Sequence, residues 1–245
     1  MNELHLFAGV GGGVLGSIIL GHTPVCAVEI DEYNRSVLLA RQRDGIFPRF
    51  PIWDDVRTFD GNQWRGSIDV VCGGFPCQDI SWAGKRAGIT GERSGLWKEY
   101  FRILQEVQPG FVFAENSSRL IGNGLDVLLE DLASLGYDAK WGCFTASSVG
   151  APHERERCFV LAYPGKQRTK GDWWGGWAER RLRRIRETGG IGWEGEGSRD
   201  VLWPSEPAVE RILPNGVANG LDRHYAIGNG QVARVAALAW ETLIA

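Results

Sequence analysis

Residues 68–81, IDVVCGGFPCQDIS, constrain the fold more than any other stretch. The run Ile68, Asp69, Val70, Val71, Cys72 is short, β-branched and followed by Gly73 and Gly74. That pattern predicts a parallel-sheet strand that breaks at the glycine pair. Pro76 fixes its own φ and forces Phe75 extended, so the chain leaves the sheet in a defined direction. Cys77 is thereby set at the carboxyl end of a strand, where open α/β sheets place their ligands. A cysteine in a loop also serves as a small apolar filler. The rest of the chain decides between the two.

A chain of 245 residues suits one large domain, or one domain with a small insert. No apolar run approaches the ~20 residues that cross a bilayer. The chain opens MNE and goes directly into LHLFAGVGGG, so no signal peptide and an intracellular, reducing location are expected. The five cysteines, Cys26, Cys72, Cys77, Cys143 and Cys158, form no CxxC or Cys/His cluster in sequence. Neither a disulfide framework nor a metal site is expected. The formal net charge of -3 is no global nucleic-acid footprint, so a nucleic-acid surface has to be local.

Leu4, His5, Leu6 and Phe7 read as a strand, Ala8 to Gly13 as a glycine turn, and residues 14–20 as a helix. Strand, glycine turn and helix bring backbone N–H groups close to an anionic or polar ligand, and a Cβ would block that approach. Residues 25–31 form a second strand ending in acids. Glu29 stands roughly 20 residues after the turn, where nucleotide-binding α/β folds hold a ribose. Residues 33–43 read as a helix, and residues 52–56 as a short strand that supplies Asp55. Residues 81–94 are glycine-rich and basic, a loop able to close over a polyanion.

Residues 95–107 have apolar positions at helical spacing and stop before Pro109. Residues 111–114 read as a strand with Glu115 and Asn116 at its end, facing the same crevice as Cys77. Residues 125–135 are an amphipathic helix; residues 137–145 and 158–162 are a final strand pair. Residues 163–203 change character: Trp173, Trp174, Trp177, Trp193 and Trp203 lie among glycines, around a basic focus at residues 180–186. Poor periodicity excludes a large separate core there. Arginines for phosphates and aromatics for stacking make a nucleic-acid arm, against the plainer reading of a solvated charged helix. Residues 233–244 read as the last helix.

Taken in order, FAGVGG (7–12), GGFPCQ (73–78), Glu115-Asn116, HERER (153–157) and GNGQV (228–232) resemble the cytosine-C5 DNA methyltransferases. The resemblance covers residues 3–162 and about 205–245. It implies an α/β, Rossmann-like S-adenosylmethionine-dependent methyltransferase sheet at 1–162 and 204–245, with a small inserted target-recognition region at 163–203. It implies that S-adenosylmethionine is the cofactor and S-adenosylhomocysteine its product. Phe7, Gly9, Val10 and Gly11 would surround the cofactor and Glu29 hold its ribose. Ile30 would pack on the adenine and Asp55 with Val56 meet its edge, while Pro76, Leu96 and Asn229 complete the pocket.

By the same resemblance Cys77 is the nucleophile, Glu115 meets the flipped base, and Arg155 and Arg157 orient base and site. Gln78, Ser81, Lys85 and Arg86, with Arg180, Arg181, Arg183 and Arg184, are expected to contact double-stranded DNA. The implied protein acts without metal, away from membranes, as a monomer on DNA, in the cytoplasm of a prokaryotic or phage-infected cell. The sequence departs from the family pattern at His153 (usually Gln), Ser117 (Val), Trp97 (Phe) and Ala233 (Pro); none of these removes a catalytic group. Two other readings stay open: the same chemistry on RNA, as in the family's tRNA-modifying branch, and a catalytically silent DNA-binding regulator.

Overall fold

The computed structural model describes residues 1–76, 95–165 and 230–245. The expectations placed on Cys77, Gln78, Ser81, Lys85, Arg86 and Asn229, and on the arginines of 180–186, lie outside the described residues.

Seven strands form one sheet: β1 (Asn2–Leu6), β2 (Thr23–Val28), β3 (Ile52–Trp53), β4 (Val70–Gly74), β5 (Phe111–Ser117), β6 (Tyr137–Phe144) and β7 (Arg157–Pro164). Their spatial order is β3-β2-β1-β4-β5-β7-β6. The first five run parallel, and β7 is antiparallel to both β5 and β6. The order reverses between β1 and β4, the switch point where an open sheet leaves a crevice at its carboxyl ends.

The helices are α1 (Gly12–Ile19), α2 (Glu32–Arg43), α3 (Gly95–Val107), α4 (Leu125–Ser134) and α5 (Ala233–Ile244). Alternation along the strands divides the core into two layers. Leu4, Leu6, Val71 and Val112 face one way, against Trp97, Tyr100, Ile103 and Leu104 of α3 and Leu128 and Leu132 of α4. Val70, Cys72, Phe111 and Phe113 face the other way, against Val235, Ala236, Ala239 and Trp240 of α5. Ala27 of β2 meets Val14 of α1 and Leu38 of α2. The two faces of these buried parallel strands explain why they read as continuous apolar runs.

Three sequence expectations are corrected. The fourth strand does not break at Gly73-Gly74: it begins at Val70 and includes both glycines. Neighbouring strands press on them. A Cβ on Gly73 would lie 2.0 Å from the Leu6 carbonyl oxygen, and one on Gly74 2.3 Å from Glu115 Oε2. The glycines are the last two residues of the strand and mark close approach. Likewise Glu115 and Asn116 lie within β5, which runs on to Ser117 because β7 pairs with it through Arg157. The strand expected at 52–56 is only Ile52–Trp53, since Asp55 and Val56 start a turn closed by Thr58 N to Asp55 O and Phe59 N to Val56 O.

Candidate active site

The crevice at the switch point is bounded by the segment after β1, the ends of β4 and β5, and Gly230-Gln231 ahead of α5. Phe7 leaves β1 at φ 52 and Gly9 follows at φ 56. A left-handed phenylalanine is uncommon and costs about 1–3 kcal/mol unless its surroundings impose it. Here the ring is stacked 6.3 Å from Tyr100 and Ala8 N donates to Val28 O. Gly11, at φ 93, precedes α1 as its N-cap, and a Cβ there would strike Phe47 and Leu38. Glycine is required by conformation and space together.

Glu29, buried just beyond β2, ties this turn down. Its Oε2 accepts from Gly9 N at 2.6 Å, and its Oε1 from Asp31 N at 2.9 Å and Asn34 Nδ2 at 3.3 Å. A carboxylate has about four acceptor positions, so one on Oε2 is left for a ligand hydroxyl. Beside it Ile30 is 63% exposed, an apolar platform at the sheet's carboxyl edge. Asp55 is already engaged: Arg57 donates to both its oxygens, and this pairing lowers the Asp55 pKa. Val56 is buried beneath it, and its carbonyl accepts from Arg102 Nη2 at 2.8 Å. Leu96, in the first turn of α3, is half-buried against the main core.

Phe75 carries the chain out of β4. It is buried against Trp97 and Tyr100, at ring separations of 5.1 and 6.3 Å, and its carbonyl accepts from Asn116 Nδ2 at 3.1 Å. The backbone leading to exposed Pro76 is therefore anchored on both sides. Glu115 lies beside it, 6% exposed. Arg157 Nε is 3.0 Å from Glu115 Oε1. Burial raises the Glu115 pKa, while Arg157, Arg155 and a hydrogen bond from Gln231 pull it back. Arg155 Nη2 donates to Gly230 O at 2.6 Å, joining the β7 side of the crevice to the segment before α5.

The structure places Phe7, Gly9, Gly11, Glu29, Ile30, Glu115, Arg155 and Arg157 around one group of strand ends. Gln231 was seen only as part of the GNGQV motif, yet it spans the site. Cβ atoms on Gly12 and Gly13 would meet its carbonyl and its Oε1, and its amide bonds Glu115. Asn116 was likewise read only as the partner of Glu115; its anchoring of Phe75 depends on strand pairing that no local pattern encodes.

Residues 1–187 match the family model for C-5 cytosine-specific DNA methylases. Type II methyltransferase M.CviJI of Paramecium bursaria Chlorella virus IL3A is 37% identical over 163 residues, 65% of this chain and 42% of that protein. Type II methyltransferase M2.BsuMI of Bacillus subtilis (strain 168) is 34% identical over 170 residues, 66% of this chain and 42% of that protein. The chain therefore spans less than half the length of these curated relatives. Among solved structures, a DNA modification methyltransferase encoded within an E. coli prophage aligns with a TM-score of 0.54 at 27% identity, over 67% of this chain and 47% of that one. A Spodoptera frugiperda DNMT2 variant shares the fold, with a TM-score of 0.54 at 19% identity, over 69% of this chain and 51% of that one. With its sheet order, its glycine turn held by Glu29 and its buried Glu115 between two arginines, the chain belongs to the C-5 cytosine-specific DNA methylase family.

Proposed function

We propose that this protein transfers a methyl group from S-adenosylmethionine to carbon 5 of cytosine in double-stranded DNA. The observation that carries the reading is Glu115: a buried carboxyl with raised pKa, bracketed by Arg157, Arg155 and Gln231, beside the strand that leads into Pro76-Cys77. S-adenosylmethionine, when bound, supplies an electrophilic methyl group. The residues present fit it. Gly9 leaves open space where a Cβ would stand, Glu29 keeps an acceptor position for a ribose hydroxyl, and exposed Ile30 offers an apolar surface to an adenine. Phe7, Val10, Gly11, Val56, Pro76, Leu96 and Asn229 complete the proposed pocket. Asp55 joins it only by sharing a carboxylate that Arg57 already holds.

The target base is first swung out of the helix, at a cost of a few kcal/mol. The Cys77 thiolate then bonds carbon 6, which makes carbon 5 enamine-like and able to take the methyl group. Glu115 holds a proton at ring nitrogen 3 and so stabilises the adduct; a carboxyl kept protonated by burial suits that task. Arg155 and Arg157 supply the positive surroundings that favour the thiolate. Loss of the carbon-5 proton to water and elimination of the Cys77 sulfur release the product and restore the thiol.

In this reading residues 1–162 and 204–245 form the catalytic unit and 163–203 the target-recognition region. Arg180, Arg181, Arg183 and Arg184, with Gln78, Ser81, Lys85 and Arg86, contact DNA. The protein works as a monomer on DNA in the cytoplasm of a prokaryotic or phage-infected cell, in the setting of restriction and modification.

The test is transfer of labelled methyl from S-adenosylmethionine to duplex DNA and to tRNA, with covalent trapping on DNA containing 5-fluorocytosine. Labelled duplex DNA and a trapped complex are expected from the unaltered chain. Cys77→Ala should lose both while still binding cofactor. Full transfer by that variant removes the mechanism; transfer to tRNA alone removes the DNA substrate; cofactor binding with neither transfer nor trapping points to a silent regulator.

A further inference from the structure

Behind the glycine turn, the crevice continues inward to a polar group that methyl transfer does not use. Glu3 and His5 are two residues apart on β1, so their side chains share a face. That face is the one opposite Leu4 and Leu6, toward α1 and α5. His5 pairs in register with Cys72 of β4, whose side chain points the same way. All three are buried: Glu3 is 2%, His5 3% and Cys72 6% exposed.

Their donor atoms converge. Glu3 Oε2 is 3.2 Å from His5 Nε2, Cys72 Sγ is 3.2 Å from His5 Nδ1, and Cys72 Sγ is 3.5 Å from Glu3 Oε2. One oxygen, one nitrogen and one sulfur atom lie within 4.8 Å of one another. The two His5 contacts use different ring nitrogens, Nε2 toward Glu3 and Nδ1 toward Cys72. Four-coordinate zinc, with bonds of about 2.0–2.3 Å, sets its donors about 3.3–3.8 Å apart, so the set closes when the His5 ring shifts by about 1 Å to turn one nitrogen toward both partners. Glu3 is also oriented from outside the triad. His22 Nδ1 meets its Oε1, and Ser17 Oγ donates to its Oε2. Metal-binding carboxylates characteristically have such outer partners.

We propose that Glu3, His5 and Cys72 bind one divalent transition-metal cation of the zinc class beneath the glycine turn, tying β1 to β4. Charge supports the choice of ligand. A dication held by one carboxylate and one thiolate is electrically neutral, which suits a buried site. The donor set, one sulfur, one imidazole and one carboxylate, is what zinc accepts, and calcium and magnesium do not. The crevice is lined by Glu3, His5 and Cys72 along with Gly9 and Gly230, so it offers an entry path to the group. Sequence spacing gave no sign of this, since Glu3 and His5 stand 69 and 67 residues from Cys72.

The test uses the full-length chain, stripped with a chelator and titrated with cobalt(II) alone, followed by competition with zinc(II). We expect one cobalt per chain, a tetrahedral visible spectrum and a thiolate-to-cobalt charge-transfer band, with zinc displacing the cobalt. Cys72→Ser should abolish that band, and Cys143→Ser should leave it. His5→Gln should weaken cobalt affinity by more than the roughly 10- to 100-fold that loss of an outer partner costs. Should Cys72→Ser fail to fold, Glu3→Gln gives the same reading through lost affinity in a chain whose circular dichroism is unchanged. Failure to retain stoichiometric cobalt after dialysis, or a charge-transfer band that survives in Cys72→Ser, overturns the site and leaves a hydrogen-bonded cluster only.

Discussion

Arg157 places its Nε 3.0 Å from Glu115 Oε1, across the antiparallel pairing of β7 with β5. Two opposed effects meet in that contact. Burial favours the neutral carboxyl, and the two nearby arginines favour the carboxylate. Burial wins, and the Glu115 pKa is raised. The raised value fixes the sign of the pH dependence. Glu115 is protonated more readily folded than unfolded, so its contribution to stability is greatest below the ordinary carboxylate pKa. It declines as pH rises from that value through the folded one. Glu115→Gln should remove this decline from a series of melts taken across pH, and should also abolish transfer. A variant whose stability keeps the same slope would show that Glu115 is not the group titrating.

Removing Arg157 tests the opposing effect. In Arg157→Ala the Glu115 pKa should move further up, and the basic limb of the pH–rate profile should move with it. The transfer rate should fall about 100-fold, the scale of a misplaced acid–base group. Carboxyl-labelled NMR of Glu115 checks the shift directly. An unmoved profile would separate the arginine from the carboxyl's titration.

Glu29 works on the other wall. Glu29→Ala leaves Gly9 N and Asp31 N without the acceptor they now have and removes the proposed ribose contact. Hydrogen bonds to charged groups contribute about 1.5–3 kcal/mol, so S-adenosylmethionine affinity should fall roughly 10- to 100-fold by calorimetry. Unchanged affinity would place the ribose elsewhere.

Gln231 reaches both walls. Its backbone carbonyl and Oε1 crowd Gly12 and Gly13, and its amide bonds Glu115. Gln231→Ala should raise the Glu115 pKa, because the lost hydrogen bond favoured the carboxylate, and should lower kcat more than it weakens cofactor binding. Gln231→Asn, one methylene shorter, should recover only part of the rate. Equal losses in cofactor affinity and kcat would make Gln231 part of the cofactor pocket alone.

Trp97 stands where the family pattern has phenylalanine. Its ring is 1% exposed and its Nε1 donates to Asp131 Oδ2 at 2.7 Å. Trp97→Phe keeps an aromatic ring against Phe75 and Tyr100 but loses that bond. It should cost about 1–2 kcal/mol and lower Tm by a few degrees, with activity retained. A large loss of activity would mean that the indole, through Phe75, helps to hold the segment that leads to Cys77.

Local pattern determined much of this protein. Apolar runs placed the central strands to within about three residues at each end, because strands buried on both faces must be apolar throughout. The spacing of Leu96, Tyr100, Ile103, Leu104 and Val107 marked α3 from end to end, because one helical face meets the core. The order of FAGVGG, FPCQ, Glu-Asn, HERER and GNGQV carried the resemblance from which the candidate site was drawn; among the described residues, Phe7, Phe75, Glu115 and Arg157 lie at or beside strand ends. Only the tertiary structure decided the rest. Gly73 and Gly74 look like a break after the strand in sequence, and prove to be its last two residues, where Leu6 and Glu115 of the neighbouring strands leave no room for a Cβ. Gln231 gains a role by lying across Gly12, Gly13 and Glu115. Glu3, His5 and Cys72 form a cluster only because β1 and β4, far apart along the chain, lie side by side in register. Periodicity records which face a residue shows to the core; it carries no information on which distant residue stands opposite, and pairing between strands supplies that.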